Sequence, residues 1–403
     1  MSALDGLRVV ELGAFAAGPA VGKHLADHGA EVIRIESRAR PDGFRSNYPP
    51  YLDGLPGTER AGMFAMTNND KLGVTLDLKS EAGLALARRL IDRADVVVEN
   101  FTPGTMTRLG LGYDTLRAGN PRLVMLSTCN QGQTGPNAQR AGFGTHLTAQ
   151  SGFLHLTGWP DRSPSLLWGP YIDYIAVAYG FVAVMAALDE RSRTGAGTHI
   201  DLSQYETGLQ FAAPALVEYS ATGQVAERDG NRHPELAPHG VYSCSGEDRW
   251  VALSVHDELE WERFRRALGD PPWSLRPELG SARGRKLEEA EVDAGIAEWT
   301  SARTREEAVR ILREAGVHVA PVNDMADIHS DPDLAAHAVF RALRHAVMGE
   351  YLAVGPPFLL SETPAHLERP AFQLGEHNRE VFQGLLGLSE SEFQACEAAG
   401  AFD

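Results

Sequence analysis

The sequence predicts an α/β protein, with a large Rossmann-like domain built on a mostly parallel sheet and a smaller α+β domain. Two features predict it. Over residues 1–130, β-branched runs alternate with helix-length amphipathic segments, and around "AERDGNRHPELAP" (226–238) the composition turns to charge, Gly and Pro. The strands read as "LRVVEL" (7–12), "EVIRIE" (31–36), "GVTLDL" (73–78), "DVVVEN" (95–100) and "RLVMLS" (122–127). Between them, "AVGKHLADHG" and "SEAGLALARRLIDRA" space apolar residues three and four apart, so helices cross over between parallel strands. In such sheets ligands bind beyond the carboxyl ends of the strands. "GAFAAGP" (13–19), "SRARPDGFR" (37–45) and "NFTPGTMTRLG" (100–110) occupy those ends.

Next come two loops, 130–144 and 156–170, rich in Gly, Pro and Trp; loops of this length usually carry function. "YIAVAYGFVAVMAAL" then offers no polar face, so the helix that begins near 171 is expected to be buried on every side. It closes in "DERSRTGAG", where arginines suit a helix C-terminus and glycine ends it. "THIDLS" is a strand, and "QYETGLQFAAPALVEYSATG" (204–223) reads as one long apolar helix. Past the linker, "GVYSC" and "RWVALSV" form a hairpin, followed by helices near 258–268 and 304–315. The boundaries are thus 1–225 for the first part of the large domain, 226–325 for the small one, and 326–403 for a C-terminal segment. That segment holds a strand-loop "EYLAVGPPFLL" and a helix "GEHNREVFQGLL". It is too small for a core of its own and is expected to return to the large domain or to pack on a partner chain.

Composition removes several classes of function. A formal net charge of -17 repels a phosphate backbone, so neither nucleic acid nor a membrane surface is an expected partner. An anionic small molecule can still bind where arginines and lysines converge. Cys129, Cys244 and Cys396 are odd in number and form no CxxC, which predicts free thiols rather than disulfides or a zinc site. No HExxH and no acidic pair at ligand spacing supports a metal. With no leader pattern and no run of eighteen apolar residues, the expected location is the cytoplasm.

Asp173 is the residue that raises a chemical question, because it is a single carboxylate at the start of an apolar helix. One role is an N-cap, its side chain accepting bonds from the first-turn amides. The other is a nucleophile, kept ionised by those amides and the helix dipole in a site whose dryness raises carboxylate pKa values. "GAFAAGP" lacks both the GxGxxG spacing and the terminal Lys-Ser/Thr of phosphate-binding loops, so a tight turn is an equal reading. Arg38, Arg45, Lys79 and Arg108 lie at strand ends, as phosphate clamps or as solvated charges. His146 fits an acid-base group or a structural histidine, and Trp159 and Trp168 fit a pocket wall or ordinary packing.

In order along the chain, "LDGLRVVELG", "AGPAVGKHLADHGAEVIRIE", "NNDKLGVTLDLKS", "ADVVVENFTPGTMTRLGLGYDTL", "NPRLVMLS", "GQTGP", "LTGWPD", "ALDERSRTGAGTHIDLS", "AGVHVAPV" and "GEHNREV" resemble the class III CoA-transferases, a family that also holds the α-methylacyl-CoA racemases. The resemblance implies an interlocked homodimer, with a small domain inserted into a large one. It implies coenzyme A, carried as an acyl-CoA substrate, a carboxylic acid as the second substrate, and no metal. It places the catalytic aspartate on Asp173 and CoA contacts on Ala16, Ala17, Arg38, Leu76, Lys79, Asn100, Phe101, Arg108 and Leu109. Phe143, His146, Trp159 and Trp168 are pocket candidates.

Racemase relatives resemble "AGHD" and a Glu before "VY", whose side chains move an α-proton. Here "AGFG" (141–144) and "PHGVY" (238–242) put Phe143, Gly144 and Gly240 at those positions. Loss of a positioned base forfeits roughly two to four orders of magnitude in rate, which disfavours racemisation. The run "GFLHLTGWPDRSPSLLWGPYIDYIA" looks most like the benzylsuccinate type of CoA-transferase. The expected activity is CoA transfer from an acyl-CoA to a free acid through a covalent aspartyl intermediate. An acyl-CoA racemase or isomerase and a noncatalytic acyl-CoA-binding protein are the alternatives.

Overall fold

The computed structural model describes residues 2–403. These residues form two compact units, one of residues through Leu154, Leu166–Val225 and Asp333–Asp403, the other of His155–Ser165 and Ala226–Pro332.

The first unit is built on six strands: β1 (Arg8–Leu12), β2 (Glu31–Glu36), β3 (Lys71–Thr75), β4 (Val96–Glu99), β5 (Val124–Cys129) and β6 (His199–Ser203). Their order is β3-β2-β1-β4-β5-β6, and every neighbouring pair is parallel. Successive side chains of a strand point to opposite faces. Val9, Val32, Val96, Val98 and Val124 therefore enter one core, while Val10, Ile33, Val97 and Met125 enter the other. Burial on both faces explains why these strands read as continuous apolar runs rather than alternating ones. Helix α1 (Ala17–Asp27) covers the first face through Val21 and Leu25. The chain end completes the second, where Val381, Phe382 and Phe402 are buried against Val10, Ile33 and Val97.

β3 begins two residues earlier than the sequence predicts, at Lys71. A lysine ordinarily marks a loop or surface, but its ammonium here is fully buried and bonds the Glu11 carboxylate at 2.8 Å. β5 likewise runs on to Cys129.

Three further helices matter for the site. α2 (Gly144–Gln150) follows the loop after β5, α3 (Tyr171–Thr194) crosses the face shared with α1, and α4 (Gln204–Phe211) follows β6. The single helix expected over 204–223 is two, because the chain breaks at Ala212 and restarts as α5 (Ala213–Thr222) with proline in its first turn. Nor is α3 buried on every side. It is long and apolar enough to span a membrane, yet only one face, with Val177, Val184 and Ala187, packs on the sheet. Tyr174, Tyr179 and Val182 on α3, with Phe211, Leu216, Val217 and Tyr219 beyond it, are exposed.

The C-terminal segment forms a hairpin in the first unit. "EYLAVGPPFLL" supplies a strand at Gly349–Val354, antiparallel to one at Phe340–His345 that the sequence reading missed. The segment read as a helix forms a π-helix at Glu380–Leu385.

The second unit has a three-stranded antiparallel sheet of His239–Ser243, Trp250–Ser254 and His318–Pro321. Helices Glu258–Ala267, Glu289–Ser301 and Arg305–Glu314 pack on it around Val251, Leu253, Phe264, Ile296 and Leu312.

Candidate active site

Between β1 and β4 the strand order reverses, and an open parallel sheet leaves a crevice at that point, beyond the carboxyl ends of its strands. A cleft of about 290 Å³ lies there. Its first wall is the turn after β1. Gly13 has φ 150° there, and a Cβ on it would fall 1.9 Å from Asn100 Oδ1. Glycine lets Asn100 close in and clamp the turn, Oδ1 accepting from Ala14 N at 2.9 Å and Nδ2 donating to Ala14 O at 2.7 Å. Phe15 follows in the left-handed region, φ 64°. Its amide donates to both oxygens of Asp42 at 3.1 Å, and Asp42 is paired in turn with the fully buried Arg34.

The second wall is Asn100 and Phe101 after β4, and the third is Cys129 and Asn130 with Ala141–Gly144. Asn130 Nδ2 donates to Gly142 O at 2.8 Å and fixes those two loop ends to each other. Asp173 completes the cleft from the first turn of α3.

Asp173 is not a cap. Pro170 holds the N-cap position, and among the described residues the Asp173 carboxyl has no hydrogen bond or ion pair. The first-turn amides therefore do not hold it ionised, contrary to expectation. Its side chain turns instead toward the start of α2, where a Cβ built on Gly144 would lie 2.6 Å from Asp173 Oδ2. Burial without a compensating partner pushes its pKa up to about 7.

The cleft gathers Ala16, Ala17, Asn100, Phe101, Phe143 and Asp173 of the residues singled out in the sequence. Others lie outside it. Leu76 is a core side chain and Leu109 packs on the same core. Arg38, Lys79 and Arg108 are exposed, after β2, after β3 and after β4 respectively, and none enters an ion pair among the described residues. Arg45 is no phosphate clamp. It is fully buried, bonded to Glu36 at 2.8 Å and Glu59 at 3.0 Å, with its guanidinium 3.5 Å from the Phe64 ring centroid. His146 is exposed and accepts the Phe143 amide at Nδ1, 3.1 Å, at the start of α2. Trp168 is 98% exposed, and Trp159 belongs to the second unit, close against Gly230. Cys129, Cys244 and Cys396 are free, as expected.

The sequence reading missed Asn130, Gln204 and Glu99. Glu99 ends β4 one residue before Asn100, is 2% exposed, accepts Phe101 N at 2.8 Å, and has its pKa raised by burial to about 7. A carboxylate closing an all-valine strand was the signal available for it. No group of side chains suited to hold a metal ion occurs among the described residues.

A doubly wound α/β unit with a cleft at its switch point belongs to the class of folds that bind ligands beyond the carboxyl ends of their strands. The comparisons with known proteins give the family. The profile of CoA-transferase family III matches residues 4–378. The succinyl-CoA–D-citramalate CoA-transferase of Chloroflexus aurantiacus is 34% identical over 98% of this chain and 97% of its own length. The succinate–glutarate CoA-transferase of Agrobacterium fabrum is 33% identical, over 95% of each chain. The crystal structure of a CAIB/BAIF family protein from Brucella suis superposes with a TM-score of 0.88 at 32% identity, covering 95% of this chain and 99% of that one. This chain belongs to CoA-transferase family III.

Proposed function

We propose that the enzyme moves CoA from an acyl-CoA to a free carboxylic acid by covalent chemistry on Asp173. The observation that carries this reading is an unpartnered carboxyl opening into the switch-point cleft. As carboxylate, Asp173 attacks the thioester carbonyl, giving a mixed anhydride and CoA thiolate. Thiolate then attacks the aspartyl carbonyl, releases the first acid and leaves an aspartyl-CoA thioester. The incoming carboxylate repeats these steps in reverse. Thioester and carboxylate enter and leave in equal number, so no external energy source is needed. Gly144 opens α2 next to the Asp173 carboxylate, and its first-turn amide, which has no hydrogen bond among the described residues, is the donor we assign to the oxyanion. No His, Lys or Glu lines the cleft to move a carbon-bound proton, which argues against racemisation.

The unpaired Arg38, Lys79 and Arg108 at the carboxyl edge suit the phosphates of CoA. Alanine at each is expected to raise KM for the acyl-CoA about ten-fold, the worth of one exposed charge-assisted bond, with kcat little changed. Unchanged KM in all three variants contradicts this placement.

The exposed apolar side chains of α3, α4 and α5 support a homodimer, since a patch of this kind rarely faces water. Sedimentation is expected to give a dimer, and Val217→Asp with Tyr219→Asp a monomer. A monomeric wild-type protein refutes it.

A further inference from the structure

This inference rests on the reading of Asp173 above and concerns the acid. Phe15, Phe101 and Phe143 line the cleft, and no Arg, Lys or His does. Phe15 meets Phe143 edge to face, centroids 5.8 Å apart and planes at 80°. Behind it, Phe15 packs edge-on against Phe44 at 5.6 Å and Tyr48 at 6.0 Å, so its ring is held from the far side. The backbone holds it too, in the left-handed region that a residue with a Cβ enters only under constraint. Phe143, by contrast, is 55% exposed at the mouth of the cleft, a large ring with room to cover a ligand.

Three amide side chains of the cleft already make hydrogen bonds within the protein. Asn100 uses both amide atoms on Ala14, Asn130 Nδ2 donates to Gly142 O, and Gln204 Nε2 donates to Thr128 Oγ1 at 3.3 Å. A second carboxylate would meet no cation among the residues that line the cleft, and ring faces that are themselves electron-rich. An apolar ring would meet the rings of Phe15 and Phe143, and aromatic pairs are favourable beyond the area they bury.

We propose that this cleft takes a monocarboxylic acid with an apolar, ring-sized remainder, seated against Phe15 and Phe143. Succinate, citramalate and glutarate, which the names of the two relatives print, each carry two carboxylates. With acetyl-CoA and 3-phenylpropanoate the exchange balances: the C–S bond of acetyl-CoA breaks and that of 3-phenylpropanoyl-CoA forms. Acetate leaves with one oxygen drawn from Asp173, which the incoming acid restores, and no proton or electron is gained or lost.

The test is competition between 3-phenylpropanoate and succinate at equal concentration, with acetyl-CoA as donor and both product thioesters quantified by mass spectrometry. The phenyl acid is expected to win by at least about ten-fold in kcat/KM, and Phe143→Ala, a change at an exposed ring, to reduce that ratio several-fold. Equal or greater transfer to succinate overturns the acid class and leaves CoA transfer standing. A ratio unmoved by Phe143→Ala overturns the seating. Transfer to neither acid, nor between acetyl-CoA and labelled acetate, overturns this inference together with the function it rests on.

Discussion

Asp173→Ala is expected to lower kcat for CoA transfer by about four orders of magnitude or more, as loss of a covalent nucleophile does elsewhere. It is also expected to make the protein more stable at pH 8. The carboxyl has no partner to lose, and burial raises its pKa from 3.8 to about 7. Below pH 3.8 it is protonated folded and unfolded alike, and contributes nothing pH-dependent. Between 3.8 and about 7 the unfolded chain ionises while the folded one keeps its proton, so stability falls as pH rises and levels off above 7. Removing the group returns on the order of 2–4 kcal/mol at pH 8 and almost none at pH 4. Urea midpoints at the two pH values measure it. The same titration governs activity, because only the carboxylate attacks: kcat/KM is expected to rise with pH to about 7 and then flatten. A variant that is inactive and also destabilised at pH 8 would make Asp173 a structural residue.

Gly144→Ala is expected to cut kcat about 100-fold, with a stability loss of about 1–3 kcal/mol. Its φ is ordinary, so the effect comes from space rather than backbone strain. A Cβ there would lie 2.4 Å from Pro170 Cβ, 2.8 Å from Pro170 Cα and 2.6 Å from Asp173 Oδ2. Neither the ring nor the backbone of Pro170 is the far end of a flexible side chain. Either α2 and α3 separate or the carboxyl swings away, and both displace the nucleophile. Rates measured well below the melting temperature separate this displacement from unfolding. Wild-type kcat in Gly144→Ala contradicts the account of how Asp173 is aimed.

The parallel sheet was legible because burial on both faces leaves a local mark, as in the valine run ending at Glu99 and Asn100. What was not legible depends on contacts distant in sequence. Lys71, Arg34 and Arg45 look like surface charges until Glu11, Asp42 and Glu36 are seen buried beside them. Asp173 illustrates both sides. Its place at the head of an apolar helix was readable, but the expected bonds from its own first turn are absent, because the side chain points across to a glycine some thirty positions earlier. Trp168 misled for a related reason: its size suggested a pocket wall, while its 98% exposure depends on the path of the whole loop. α3 was expected to be buried on every side, because nothing in its local sequence marks Tyr174, Tyr179 and Val182, which are exposed in this chain, as different from its buried residues.

The central claim is that Asp173 carries the acyl or CoA group covalently. Its most direct test is to mix the wild-type enzyme with an acyl-CoA that it turns over, quench in hydroxylamine, and map the peptides by mass spectrometry. The account predicts a hydroxamate on Asp173 and on no other carboxyl, lost when the thioester is omitted. Undiminished CoA exchange with Asp173 unmodified under trapping conditions would contradict it.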